Sequence, residues 1–239
     1  MCRGLSCSLL ITPLVALLVV NAGAAAPAHS AQVPSILERF LALDDPTPTQ
    51  YRALRHLEAT NDHFDKSARM EVWTEAGPSG FRYEIAAEEG SEYIRNRVFR
   101  ATLETERKVW ASGAPDKAGF TPANYTFEDR GAHPDGLTSL AVKPLRKDML
   151  LVNGTIFLRP DDGELMRLEG ELVKAPSFWT RRVQIVRRYQ RFLGIRMPVA
   201  LETTAAVRIA GRSTFRMTYE YESINGQRLG NPQARIASR

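Results

Sequence analysis

The chain has 239 residues and a mass of 26.7 kDa, and 44% of its residues are hydrophobic and 25% charged. These proportions exclude a wholly disordered or collagen-like chain and are typical of a globular domain. The formal net charge is +5, and the basic excess is concentrated in residues 181–216, where nine arginines accompany a single acidic residue.

The first 31 residues have the pattern of a secretory signal peptide. Arg3 precedes an apolar run at residues 9–20, which is too short to cross a bilayer as a helix. Small residues follow, with A-x-A cleavage sites that end at Ala24 and Ala28. We therefore predict cleavage near residues 24–31, a periplasmic location and a single mature domain at residues 32–239. The alternative is an uncleaved N-terminal anchor.

The residues that commonly carry chemistry are sparse. Both cysteines, Cys2 and Cys7, precede the apolar run, so the mature chain has no disulfide and no thiol nucleophile. The four histidines show no metal-ligand spacing, and no G-x-S-x-G elbow is present. Asp161 and Asp162 are typical of a turn. We expect a protein that is not an enzyme and that binds no metal or cofactor.

Two short helices are predicted at the start of the mature chain. Ser35 and Glu38 form a capping box. Thr47 and Gln50 repeat that pattern, and Tyr51, Leu54 and Leu57 follow at helical spacing.

Most of the remaining chain alternates between apolar and polar residues, which indicates strands with one buried face in an antiparallel sheet. The alternation is clearest in residues 68–73, 81–85, 124–128, 166–172, 201–209 and 214–221. Turn sequences separate the strands at residues 77–80, 153–154, 161–163 and 211–212. We count nine or ten strands. In the hairpin at residues 201–221, Val207 and Met217 are predicted to face the core, and Arg208 and Arg216 to face water.

One segment lacks the alternation. In residues 91–111, Ile94, Val98, Ala101, Thr105 and Val109 recur near helical spacing, which predicts a long helix. The alternative is a strand at residues 93–99. Because three helices cannot cover so wide a flat sheet, the sheet must curl, either by closing as a barrel or by wrapping the long helix. The predicted fold is α+β: a curled antiparallel sheet, or incomplete β-barrel, with the long helix on its concave face.

This order of elements resembles the LolA/LolB-like superfamily, the periplasmic carriers and receptors of outer-membrane lipoproteins. The likeness is greatest over residues 145–226, with Phe157, the Leu165–Gly170 segment (LMRLEG), the Ser177-Phe178-Trp179 run and the hairpin at residues 199–221. The resemblance implies an incomplete barrel whose open side is plugged by helices and whose hollow binds acyl chains without covalent bonds.

Candidate ligand-binding residues follow from strand phase and residue type. Large apolar side chains form a predicted hydrophobic wall, namely Met70, Phe157, Phe178, Trp179, Phe215, Met217 and Tyr219. Arg187 and Arg191 share a strand face with Val183, Ile185 and Tyr189, so they are candidates for binding an anionic head group. The alternative is that these arginines are solvated and that the aromatic residues pack in the core.

The sequence thus favours an exported module that binds or carries an apolar or acylated ligand, either a lipid or an acylated protein. The alternative is an interaction or sensor domain that binds another envelope protein. Peripheral contact with a membrane is compatible with both functions, whereas export makes a nucleic-acid partner unexpected.

Overall fold

The structure is a computed structural model that describes residues 35–43, 45–112, 119–174, 180–207 and 211–230, all within one compact unit. The predicted signal peptide lies outside the described residues. Within the described part of the chain, no helix is both long enough and apolar enough to cross a membrane.

The first helix, α1 (Ile36–Ala42), begins where the capping box predicts. The backbone N–H of Glu38 donates to the Ser35 hydroxyl, and the Glu38 carboxylate accepts from the backbone N–H of Ser35. Ile36 and Phe40 are the buried residues of this helix, so it contributes two apolar side chains to the core.

Eleven strands form one antiparallel sheet in the order β3-β2-β1-β10-β9-β8-β7-β6-β5-β4, with β11 added to β10. No described strand joins β3 to β4, so the sheet is open and not a closed barrel. The strands are β1 (Tyr51–Asn61), β2 (Lys66–Gly77), β3 (Gly80–Gly90), β4 (Tyr125–Ala132), β5 (Thr138–Pro144), β6 (Val152–Leu158), β7 (Leu165–Leu172), β8 (Thr180–Phe192), β9 (Ile195–Val207), β10 (Gly211–Ile224) and β11 (Gln227–Arg228).

The second predicted N-terminal helix is wrong, because its residues form β1. The residues that alternate as buried are Tyr51, Ala53, Arg55, Leu57 and Ala59. A buried arginine in the middle of this set hides the period of two, and Leu54 then creates a misleading helical spacing with Tyr51 and Leu57. In this strand, burial depends on partners from distant elements and overrides local pattern.

The predicted turn at residues 153–154 is also wrong, because both residues lie inside β6. Gly154 pairs with Gly170 of β7. A Cβ at Gly154 would clash with the backbone carbonyl oxygen of Glu169. Here glycine permits a close approach of two strands and does not mark a turn.

The long helix (residues 92–111) is confirmed, but its predicted buried face is not. It consists of α2 (Glu92–Ile94), a π-helical segment (Arg95–Arg100) and α3 (Ala101–Ala111). Its fully buried residues are Ile94, Phe99 and Leu103, whereas Ala101 and Thr105 are exposed. The π segment adds a residue to the turn and so shifts the buried face by one position.

The hairpin of β9 and β10 agrees with its predicted phase where it is described. Met217 is buried, and exposed Arg216 lies 3.3 Å from the Glu202 carboxylate. The side chain of Val207 and the whole of Arg208 lie outside the described part. We call the face that carries Met217 and contacts the helices the inner face, and the opposite one the outer face.

Candidate ligand-binding site on the inner face

Two hydrophobic clusters cover the inner face. The first packs the long helix against β1–β3, β9 and β10 through Phe99 and Leu103, and the second packs α1 against β4–β8 through Ile36 and Phe40. Among the described residues, Leu201 of β9 is the one that packs against both clusters. The boundary between the clusters therefore runs along the middle of the sheet.

Strand register places one residue from each of eight neighbouring strands in a continuous row across the inner face. The row is Met70, Leu57, Met217, Leu201, Arg187, Leu168, Ile156 and Leu140. Six of these side chains are buried, but Leu201 and Arg187 are only half-buried. Arg187 is the one charged residue in this row.

The half-buried residues at the boundary form what we call the inner strip, defined as Arg187, Tyr189, Leu201, Phe215 and Tyr219. Phe215 and Tyr219 pack against the first cluster and Tyr189 against the second. The inner strip thus combines apolar and aromatic surface with a single cation, at the boundary of the two clusters.

A buried ion pair fixes the long helix to the inner face beside the inner strip. The Arg55 guanidinium donates to both oxygens of Glu106, Nη1 to Oε2 at 2.6 Å and Nη2 to Oε1 at 2.8 Å. Nη2 also donates to the Tyr51 hydroxyl at 2.7 Å, and that hydroxyl donates to Glu106 at 2.9 Å. The Arg55 side chain is 1% exposed, and its guanidinium carbon lies 4.8 Å from the centroid of the Tyr219 ring.

The pKa values within this pair favour the charged forms. Burial opposes the charge of Arg55, but the Glu106 carboxylate holds its pKa well above the ordinary value. Burial also opposes the charge of Glu106 and by itself would raise its pKa, but Arg55 holds that pKa below the ordinary value. Neither residue is among the candidates that the sequence indicates. Strand alternation through Arg55 and helical spacing from Leu103 through Glu106 to Trp110 are the signals that could have found them.

Arg187 and Arg191, the two predicted head-group residues, have different surroundings. Arg187 points to the inner face, and no described carboxylate lies within ion-pair distance of it. Arg191 is 2.6 Å from Glu164 and 3.5 Å from Asp45. Because these carboxylates already bind Arg191, it holds the segment after α1 against the sheet and is not free to bind a head group.

The predicted wall residues do not all come together. Phe215 and Tyr219 lie in the inner strip, while Met70 and Met217 are each 2% exposed inside the first cluster and serve as core. Phe178 and Trp179 lie outside the described residues.

Phe157 lies on the outer face and so does not contribute to the predicted wall. It borders an open groove of about 590 Å³ with Thr126, Ser139 and Asn153. The Arg167 guanidinium lies 4.0 Å from its ring centroid. Across the described residues, no group of His, Asp and Glu has the arrangement of a metal site.

Neither a known family model nor a curated protein matches the chain. Solved structures that it is similar to include a LolA superfamily protein from Nitrosomonas europaea, at 13% identity over 85% of this chain and 96% of that one, with a TM-score of 0.40. A DUF1329 family protein from Desulfovibrio piger has 10% identity over 77% and 88% of the two chains and a TM-score of 0.38. An outer membrane lipoprotein-sorting protein domain from Vibrio parahaemolyticus has 11% identity over 84% and 96%, with a TM-score of 0.43. As the sequence predicted, the solved structures similar to this chain include a LolA superfamily protein.

Proposed function

We propose that this protein is an exported periplasmic module that binds or carries an apolar or acylated ligand along the inner strip. The observation that supports this is the half-buried state of Leu201, Phe215 and Tyr219 between two clusters whose core residues are fully buried. When an apolar molecule covers the apolar side chains at the boundary of the two clusters, the free energy of the system falls.

The size of this gain is compatible with reversible binding. Each buried methylene contributes about 0.8 kcal/mol, so an acyl chain of modest length supplies several kcal/mol before the cost of ordering it. The aromatic rings of Phe215 and Tyr219 offer broad contact area with few rotatable bonds. A carrier needs such moderate affinity, because it must release its ligand as well as take it up.

A second candidate function rests on the edges of the sheet. No described strand pairs with the outer edge of β3 or β4, and most residues of β4 are exposed. An open edge can bind an extended segment of another protein by strand addition. This is the interaction-domain alternative, and it requires no ligand on the inner face.

The test is titration of the folded, delipidated protein with a neutral acyl probe, 1-dodecanoylglycerol, monitored by calorimetry. We expect saturable binding with one probe per chain. Shortening the acyl chain by two methylenes should weaken binding about tenfold. Absence of saturable binding would contradict the proposed function and favour the interaction-domain alternative.

A pair of matched variants locates the site. Leu201→Trp fills the inner strip and should weaken binding at least tenfold, whereas Val186→Trp on the outer face of β8 should leave binding unchanged. Circular dichroism checks that both variants fold. If Leu201→Trp does not fold, Leu201→Ala replaces it, and the loss of apolar contact should weaken binding about fivefold or more.

A further inference from the structure

We propose that the ligand of the inner strip is an anionic amphiphile, a long-chain carboxylate or phosphate whose charged group pairs with Arg187. This inference rests on the proposed function and names the chemical class of its ligand. The apolar chain would lie against Leu201 and Phe215, and the anionic group would lie at the guanidinium.

The charges on the inner face are unbalanced around Arg187. Its nearest cross-strand neighbours in the row are Leu201 and Leu168, which carry no charge. The Glu106 carboxylate acts on Arg187 electrostatically, but both of its oxygens accept hydrogen bonds from Arg55. Among the described residues, Glu106 is thus occupied by Arg55, and Arg187 has no carboxylate of its own. A half-buried cation without a carboxylate partner is costly, and an anionic ligand lowers that cost.

Two hydroxyl groups reinforce the site. Tyr189 lies two residues after Arg187 on the same face of β8, and Tyr219 of β10 lies near enough to affect the pKa of Arg187. Burial raises the pKa of Tyr219, so its hydroxyl stays protonated and can donate a hydrogen bond. A guanidinium with neighbouring hydroxyl donors is a suitable arrangement for a carboxylate or phosphate.

The other arginines near this part of the sheet have carboxylate partners. Arg191 contacts Glu164, and Arg196 contacts Asp45. Arg188, the next residue along β8, lies 2.8 Å from Glu202, and its side chain is 48% exposed. Arg188 is therefore a matched control for Arg187: the two have the same residue type on the same strand but opposite faces.

The experiment compares dodecanoate, dodecyl phosphate and neutral 1-dodecanol as probes for the full-length mature protein. We expect the wild type to bind both anionic probes at least tenfold more tightly than dodecanol. Arg187→Gln should lose this preference, so that the anionic probes bind it no more tightly than dodecanol does, and Arg188→Gln should behave as wild type. Arg187→Lys, which keeps the charge, should retain part of the preference and serves if Arg187→Gln does not fold.

Acetate and inorganic phosphate separate an amphiphile site from a simple anion site, and neither should compete with dodecanoate. Whichever of dodecanoate and dodecyl phosphate binds more tightly identifies the carboxylate or the phosphate head group as the preferred ligand. An anion preference that is absent in the wild type or survives in Arg187→Gln would overturn the inference and leave the proposed function standing. Failure of every long-chain probe to bind would instead contradict the proposed function itself.

Discussion

Asp135, in the turn between β4 and β5, shows how the surroundings of one residue create pH dependence. Its carboxylate lies 2.8 Å from His133 Nδ1 and 2.9 Å from Arg167 Nη2, and it accepts from the backbone N–H of Leu137. His133, the Leu137 amide and Arg167 together lower the pKa of Asp135 to about 2. Its contribution to stability is therefore present above the ordinary carboxyl pKa and is lost as the pH falls towards 2.

We predict that Asp135→Asn destabilises the protein near pH 6 and that this difference shrinks as the pH falls from 4 towards 2. The reason is that the wild-type carboxylate becomes protonated and loses the same interactions that the amide lacks. Urea unfolding at a series of pH values measures the difference. Asp129→Asn, at a carboxylate for which no ion pair is described, is the control. A wild-type advantage that stays constant down to pH 2.5 would show that Asp135 does not titrate in this range.

The predicted binding residues show how far the sequence alone can place a side chain. Alternation places Arg187 with Val183 and Ile185 on one face, and the structure agrees. It could not show that Arg191 binds Glu164 and Asp45, because those residues are 27 and 146 positions away along the chain. It also could not place Phe157, since Ile156, Phe157 and Leu158 form a continuous apolar run without a readable phase.

At the scale of elements, the contact between the long helix and β1 depends on polar as well as apolar groups. Leu103 and Phe99 bury fully, and Glu106 on the same side of the helix reaches Arg55. The helix itself was predictable from its spacing. Its orientation was not, because the π segment shifts the buried face and because Arg55 was expected on a helix.

We predict that Glu106→Gln destabilises the protein by about 2–4 kcal/mol, because it leaves the buried Arg55 guanidinium without a carboxylate. The matched control is Arg107→Gln, which removes an ion pair with Glu104 on the exposed side of the same helix and should cost less than about 1 kcal/mol. Chemical denaturation measures both variants. The double variant Arg55→Met with Glu106→Leu should recover much of the loss. Equal effects of Glu106→Gln and Arg107→Gln would show that the Arg55 pair does not fix the helix.

At the scale of the whole molecule, the number of strands in the open sheet determines how much apolar surface must be covered. Burial alternates most clearly along β1 and β2, and the apolar face of so wide a sheet must be covered by something other than water. Two helical elements cover it in separate clusters, and the boundary between them is the inner strip. The sequence predicts the sheet and both helical covers, whereas the boundary depends on register between strands that are distant along the chain.

The cellular location of the protein determines which ligands are available to it. The prediction that it is exported rests on the signal-peptide pattern of residues 1–31. We expect the mature N-terminus of the exported protein to lie between residues 25 and 32, as N-terminal sequencing of the envelope fraction would show. Leu17→Arg places a charge in the apolar run and should leave unprocessed precursor, because a charged group disfavours insertion into the bilayer. Leu17→Phe keeps the run apolar and should be processed normally. Met1 retained on most of the envelope-associated wild-type protein would instead identify the segment as an uncleaved anchor, and the protein would then bind its ligand as a tethered receptor and not as a mobile carrier.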